Sequence, residues 1–458
     1  MTLATVCIVQ FMAPFMLTSV GVALPTLGRD FGASAMQLGL IEQLYVVSLA
    51  MGMLSFGRYG DIIGQRKVLL PGLALFTALT ASIGLAQTVE MIMVQRFFQG
   101  IAACMMLSGS LALVSKAYPA AMRGRVIGVV SAFTYSGLSL GPALGGYMTA
   151  GFGWRAVFLL SCPIGLTALL VCLFGMRNEP PNSTSDRMDW LGSAAYAASV
   201  ALFMLGAVHA GSMPYGPVMI GAGLLGLVLF LLLQARTAHP LLDVRMLREN
   251  APFTLGGLAA LGNYAATFGV TFAMSLYLQY VKGLTPQGAG GVLLIQPAVQ
   301  IVISPLIGRV ADRTDPAKLA SLGMLLSSAG LLMLAATIGP DASVWLLGLE
   351  LGLVGAGFGV FITPNSTAIM GSVKPAQFGL ASGMIASMRT LGMAVSMTSV
   401  TLIFSLFMGD APFSGALLAP FLASLRTGFS VFAAFSCLGL IISLARAAAA
   451  GRAPSRRA

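Results

Sequence analysis

GRYGDIIGQRK, residues 57–67, lies between two apolar runs at about 37–57 and 68–87. Each run has the roughly 20 residues that an apolar helix needs to cross a bilayer. The opening of this stretch returns 251 positions later: Gly57-Arg58-Tyr59-Gly60-Asp61 with Lys67 is answered by Gly308-Arg309-Val310-Ala311-Asp312 with Lys318, again between apolar runs. At an offset of 255, Gly124, Gly128 and Gly137 fall on Gly379, Gly383 and Gly392. Two matches at nearly one offset predict two related halves, and paired halves meeting near a bilayer midplane are transporter architecture.

Outward from that stretch, apolar runs of spanning length fall at about 3–25, 37–57, 68–87, 91–115, 126–150, 155–176, 191–210, 216–235, 252–281, 288–308, 318–338, 343–369, 379–408 and 426–446. The expected fold is an all-α polytopic membrane protein of fourteen spans, in which the seventh and eighth are inserted between two six-helix bundles. The expected divisions are 1–176, 177–251, 252–446 and a basic tail at 447–458. Composition agrees, because charged residues are 9% of the 458 where soluble proteins carry roughly 25%. Of 25 Lys and Arg, 19 fall in alternate loops, only Arg29, Arg155, Lys282 and Arg426 fall in the others, and Arg96 and Arg389 lie inside spans. Cytoplasmic loops hold the basic excess, so both termini are expected in the cytoplasm, at a bacterial inner (plasma) membrane. The N-terminus lacks a charged leader region and reads as a first span.

The net charge of +11 does not indicate nucleic acid, since no basic run is interleaved with aromatics. Cys7, Cys104, Cys162, Cys172 and Cys437 stand alone in apolar stretches, which argues against a zinc site or a disulfide framework. Gly221 to Gly226 satisfies a dinucleotide pattern inside a span with no strand before it, and no phosphate-loop lysine motif exists. No cofactor and no enzymatic activity are expected. Asn182-Ser183-Thr184 is a glycosylation triplet on the side expected to be cytoplasmic.

Four segments resemble the major facilitator superfamily, and within it the fourteen-helix drug:proton antiporters. Residues 57–67 look like the superfamily's loop signature, with Gln65 where a basic residue is usual. Arg96, Gln99 and Gly100 look like the fourth-helix motif. Gly137, Gly141, Pro142, Gly145 and Gly146 look like the fifth-helix motif associated with antiporters, and His239 to Asn250 is similar to the segment entering helix 9. The resemblance implies a transporter of amphipathic or cationic organic compounds, working by alternating access and driven by protons. It also implies a gate in which Asp61, with Gly57, Gly64, Arg66, Lys67 and the repeated Asp312, meets basic groups and the N-terminal end of helix 13. A solvated loop acid is the plainer alternative. One departure stands out. Thr18 and Val22 to Pro25 match the end of the helix 1 motif, but the acid expected near Met16 is missing, so Met16 is at most a lining residue of the substrate cavity.

Only Glu42 and Glu350 among the 14 acids lie within spans, where a charge needs a partner or a water-filled cavity. Both are proton-coupling candidates. Glu42 and Arg96 lie at similar depth and are placed to pair, for coupling or for structure alone, unless Glu42 sits at the outer rim. Glu350 is the stronger functional candidate, with Arg389 as its counter-ion. Gly137, Gly141 and Gly145 form a smooth stripe for close packing, for hinging, or both. Asn263, Thr267, Thr271 and Ser275 recur every four residues as a cavity wall or as groups bonding back to their own helix, and Gln296 and Gln300 make a shorter stripe. A dedicated exporter or facilitator of one metabolite remains the alternative function, and a receptor or scaffold without transport is a third.

Overall fold

The computed structural model describes residues 1–33, 35–176, 187–209, 215–284, 286–408 and 418–452. Asn182-Ser183-Thr184 and the terminal Arg456 and Arg457 lie outside them. We number the long helices α1 (Thr2–Phe31), α2 (Ala35–Ile63), α3 (Gln65–Gly84), α4 (Val89–Leu107, continued by Ser110–Ala117), α5 (Arg123–Phe152) and α6 (Trp154–Leu159, continued by Cys162–Gly175). Next come α7 (Trp190–His209), α8 (Gly216–Gln234), α9 (Ala251–Tyr280), α10 (Pro286–Leu293 with Ile295–Ala311), α11 (Pro316–Thr337), α12 (Val344–Gly371), α13 (Phe378–Met408) and α14 (Leu418–Arg452). Helices suit this sequence because a bilayer offers no water to unpaired backbone groups, so each segment satisfies its own.

Helix ends follow local chemistry. Thr88 caps α4 by accepting from Met91 N–H, and Asn250 caps α9 by accepting from Phe253 N–H. Asp315 caps α11 immediately before Pro316, which takes the first-turn position where its missing N–H does no harm. Between α2 and α3 the chain turns on Gly64, whose φ of 104° suits glycine alone.

Thirteen helices among the described residues are long and apolar enough to cross a membrane, one fewer than the fourteen runs read from sequence. The exception is α9, whose 30 residues suffice in length but include Asn263, Thr267 and four glycines. Sixteen of its residues are buried, and it packs on α12, α13 and α14. The contrast is α8, where the buried residues are only Gly216, Gly223, Phe230 and Gln234. Gly216, Gly223 and Phe230, seven residues apart, lie on a single stripe that meets α7 at Gly223 and Phe203. In turn α7 packs on α2 and α13, where Tyr196 donates to Ser387 Oγ at 2.9 Å and Trp190 tilts against Tyr59.

Two seams join the first six helices to the last six, α5 with α10 and α2 with α13. Glycines make both seams close. A methyl added at Gly57 would stand 2.6 Å from Gly379 O, and one at Gly124 would stand 2.6 Å from Gly308 O.

Candidate functional site

The repeated loops come together on one face. Asp61, 2% exposed at the end of α2, accepts the N–H of Gly379 and of Leu380, each at 2.8 Å, at the first turn of α13. Asp312, after α10, accepts the N–H of Gly124 at 2.6 Å and of Arg125 at 3.0 Å at the first turn of α5. Each aspartate therefore reaches across a seam to the helix N-terminus of the other half, where unpaired N–H groups and the helix dipole favour an anion. Gln65, the departure noted in the motif, donates its amide to Asp61 Oδ1 at 3.1 Å and to Gly57 O at 3.2 Å. It supplies a neutral donor where a cation is usual. Between the two helix ends the Arg123 guanidinium lies 5.1 Å from the Phe378 ring, a contact across the halves that sequence reading missed. Arg66 donates to Leu173 O at 2.9 Å, tying α3 to the end of α6, and Lys67 is exposed.

Deeper in the protein, a second cluster crosses the same divide. Tyr135 of α5 and Tyr264 of α9 share a hydrogen bond of 3.2 Å, and Phe358 of α12 stands edge-on to both at 5.3 and 5.2 Å. The half-buried Arg389 of α13 sits beside the Tyr264 hydroxyl, close enough for its charge to act on Tyr135 and on Tyr45 of α2 as well. Tyr45 carries a second cation, because the Arg96 guanidinium lies 4.2 Å from its ring centroid.

The two candidate ion pairs turn out differently from expectation. Arg96 is fully buried, donates to Ile41 O at 3.2 Å and to Gln99 Oε1 at 2.7 Å, and leaves Nη2 without a hydrogen-bond partner. Glu42 is half-buried beside α1, where a methyl at Gly21 would stand 3.5 Å from its Oε1. The two charges attract across a gap, with no direct salt bridge joining them among the described residues. Glu350 is not brought to Arg389. It lies near the α12 start, faces α11 and accepts from Thr337 Oγ1 at 2.9 Å, while Arg389 lies mid-helix on α13.

The polar stripe of α9 does not form one wall. Asn263 is buried and donates to Met324 Sδ of α11, and Thr267 bonds back to Asn263 O at 2.8 Å. Thr271 is exposed and Ser275 accepts from Gln279. At 3.6 residues per turn, each step of four advances about 40°, so three steps carry the stripe about 120° round the helix. Gln296 and Gln300 are buried where α10 meets Gly355 and Gly359 of α12. Gly137, Gly141 and Gly145 pack on Phe11, Thr18 and Ser19 of α1. Gly146 has room beside Val22, and Pro142 faces outward in an unbroken helix. Met16 is fully buried within the first-half core and lines no open surface.

The profile of the Major Facilitator Superfamily matches residues 6–397. The riboflavin transporter RibZ of Clostridioides difficile is 26% identical over 415 residues, covering 89% of this chain and 88% of its own. The multidrug resistance protein Stp of Mycobacterium tuberculosis is 29% identical over 381 residues, covering 82% and 70%. The crystal structure of the human organic anion transporter MFSD10 superposes with a TM-score of 0.71 at 15% identity, over 96% of this chain and 99% of that one.

Proposed function

Because the chain belongs to the Major Facilitator Superfamily and is therefore an integral membrane transporter, we propose that it exports amphipathic organic compounds by alternating access, in exchange for protons, as a fourteen-helix drug antiporter does. The observation that carries this reading is the pair of aspartates seated on opposite helix N-termini. Opening that face requires four charge-assisted hydrogen bonds to break together, so the seated state is one end of a two-state motion. The basic loops favour a cytoplasmic position for this face, and in that orientation the seated form is the one closed to the cytoplasm.

A proton gradient supplies about 2.3 kcal/mol per charge per 100 mV, plus the pH term. Within the spans Glu42 is the carboxylate better placed to use it, since it is half-buried and within the field of Arg96. Protonating Glu42 removes that attraction and deprotonating it restores it, giving the two loading states an exchanger needs. A second reading, a dedicated exporter or facilitator for one metabolite, is favoured by the apolar Met16 in the first-half core and by Glu350 being engaged with Thr337.

Reconstitution into proteoliposomes with an imposed pH difference tests the first reading. Accumulation of an amphipathic solute against its own gradient is the expected result. Movement only down the solute gradient, indifferent to pH, would transfer the claim to the facilitator.

A further inference from the structure

We propose that Arg389, with Tyr264 and Tyr135, forms the recognition site for an anionic group, and that the transported solute is an organic anion with a flat, apolar body. The proposal rests on the transporter reading and narrows its substrate class.

Position is the first argument. Arg389 lies eleven residues from Phe378 in a helix of 31 residues, about 16 Å along it. The groups around it come from α2, α5 and α9, that is, from both halves. A solute held there touches both moving bodies.

Charge is the second. A guanidinium within the spans needs a partner or water, and among the described residues no carboxylate pairs with Arg389. Glu42 lies beside Gly21 of α1 in the field of Arg96, and Glu350 accepts from Thr337, so neither span carboxylate is paired with Arg389. The Arg96 guanidinium on Tyr45 adds a second cation nearby, opposed in part by Glu42. A cationic solute would enter against Arg389. A carboxylate or enolate would meet a planar fork of donors suited to two parallel hydrogen bonds.

Shape is the third. Tyr135, Tyr264 and Phe358 present ring edges and faces within about one ring's width of each other, and Met388 lies in the same core cluster. Aromatic faces and a flexible thioether suit a flat apolar body. The hydroxyl bond between Tyr135 and Tyr264 is the contact such a solute would replace, since it spans the two halves.

The test uses the purified full-length protein in nanodiscs and equilibrium dialysis with three probes of one shape: 2-naphthoate, neutral 2-naphthamide and cationic N-methylquinolinium. The wild type is expected to bind 2-naphthoate about tenfold or more tighter than the amide, and the cation most weakly. Arg389→Gln should bring 2-naphthoate down to the level of the amide while amide binding persists, which shows that the variant is folded. Arg389→Lys should retain part of the preference. Repeating the titration in chloride and in gluconate separates an organic-anion site from a halide site; naphthoate binding that is abolished by chloride overturns the proposal. Equal affinity for all three probes, binding of none of them, or an anion preference that survives Arg389→Gln overturns it too. Binding is read without transport, so a failure of proton exchange in vesicles leaves this result standing.

Discussion

Replacing Asp61 with Asn removes a charge while keeping size and shape, and the seat on α13 sets the consequence. Asp61 receives two backbone N–H groups, one on each oxygen, and Gln65 also donates to Oδ1. Asn offers a single acceptor oxygen, so whichever way its amide turns, one N–H of Gly379 or Leu380 faces an NH2 group. A hydrogen bond to a charged group contributes about 1.5–3 kcal/mol against about 0.5–1.5 for a neutral one. The interaction with the helix end adds about 0.3–1 kcal/mol. Together the closed face is weakened by about 2–4 kcal/mol, which at 1.4 kcal/mol per decade shifts the equilibrium toward opening by roughly 30- to 700-fold.

Ala386, buried on α13 within the first-half core cluster, reports the opening. In a background lacking the five native cysteines, a cysteine at Ala386 should react slowly with an impermeant maleimide applied to inside-out vesicles. Adding Asp61→Asn should raise that rate at least about tenfold, and adding Asp312→Asn should raise it further. A rate within about twofold of the parent in the double Asn variant would refute the latch, leaving both loops as topology signals.

Three further outcomes are expected. Glu42→Gln should abolish solute accumulation driven by an imposed pH difference in proteoliposomes, whereas Glu350→Gln, whose carboxylate is engaged with Thr337, should lower it only in part; accumulation persisting in the double Gln variant would remove both carboxylates from coupling. Gly141→Val places a side chain on Thr18 Oγ1 and the α1 backbone, an overpacking worth about 1–3 kcal/mol, so the melting temperature should fall while outward-facing Pro142→Ala leaves it nearly unchanged. A cysteine at Ser183 in the cysteine-free background should resist impermeant reagents in intact cells, and ready labelling there would reverse the proposed orientation.

The spans were legible because each is a local property of some twenty consecutive residues, and the pairing of the halves was legible because the motif repeats. Even the seat of Asp61 followed from a family resemblance. What escaped reading was contact between distant helices. Nothing near Arg389 in sequence indicates that it stands beside Tyr264 rather than Glu350, because depth along two helices says nothing about which way each is turned. The α9 stripe misled for a related reason, since a spacing of four is regular in sequence but winds about the helix axis. Arg123 was counted as one of many loop cations, and its place over Phe378 depends on two helix ends 255 positions apart arriving together.

Both aspartates are received by main-chain donors, and this separates the two sides of each contact genetically. Substitutions at Arg125 or Leu380 alter what surrounds the N–H but leave the N–H in place, and only proline deletes it. The glycines beside them tolerate less, for reasons of space alone. A saturation scan of the face should therefore find its sensitive positions at Asp61, Asp312, Gly57, Gly124 and Gly379, and tolerance at the exposed Arg125, whereas Leu380 is constrained by its own burial in a core cluster and not by its donor role. Side chains that compensate for the loss of Asp61 or Asp312 will not be found across the seam, because on the far side of those two contacts only main-chain N–H groups take part.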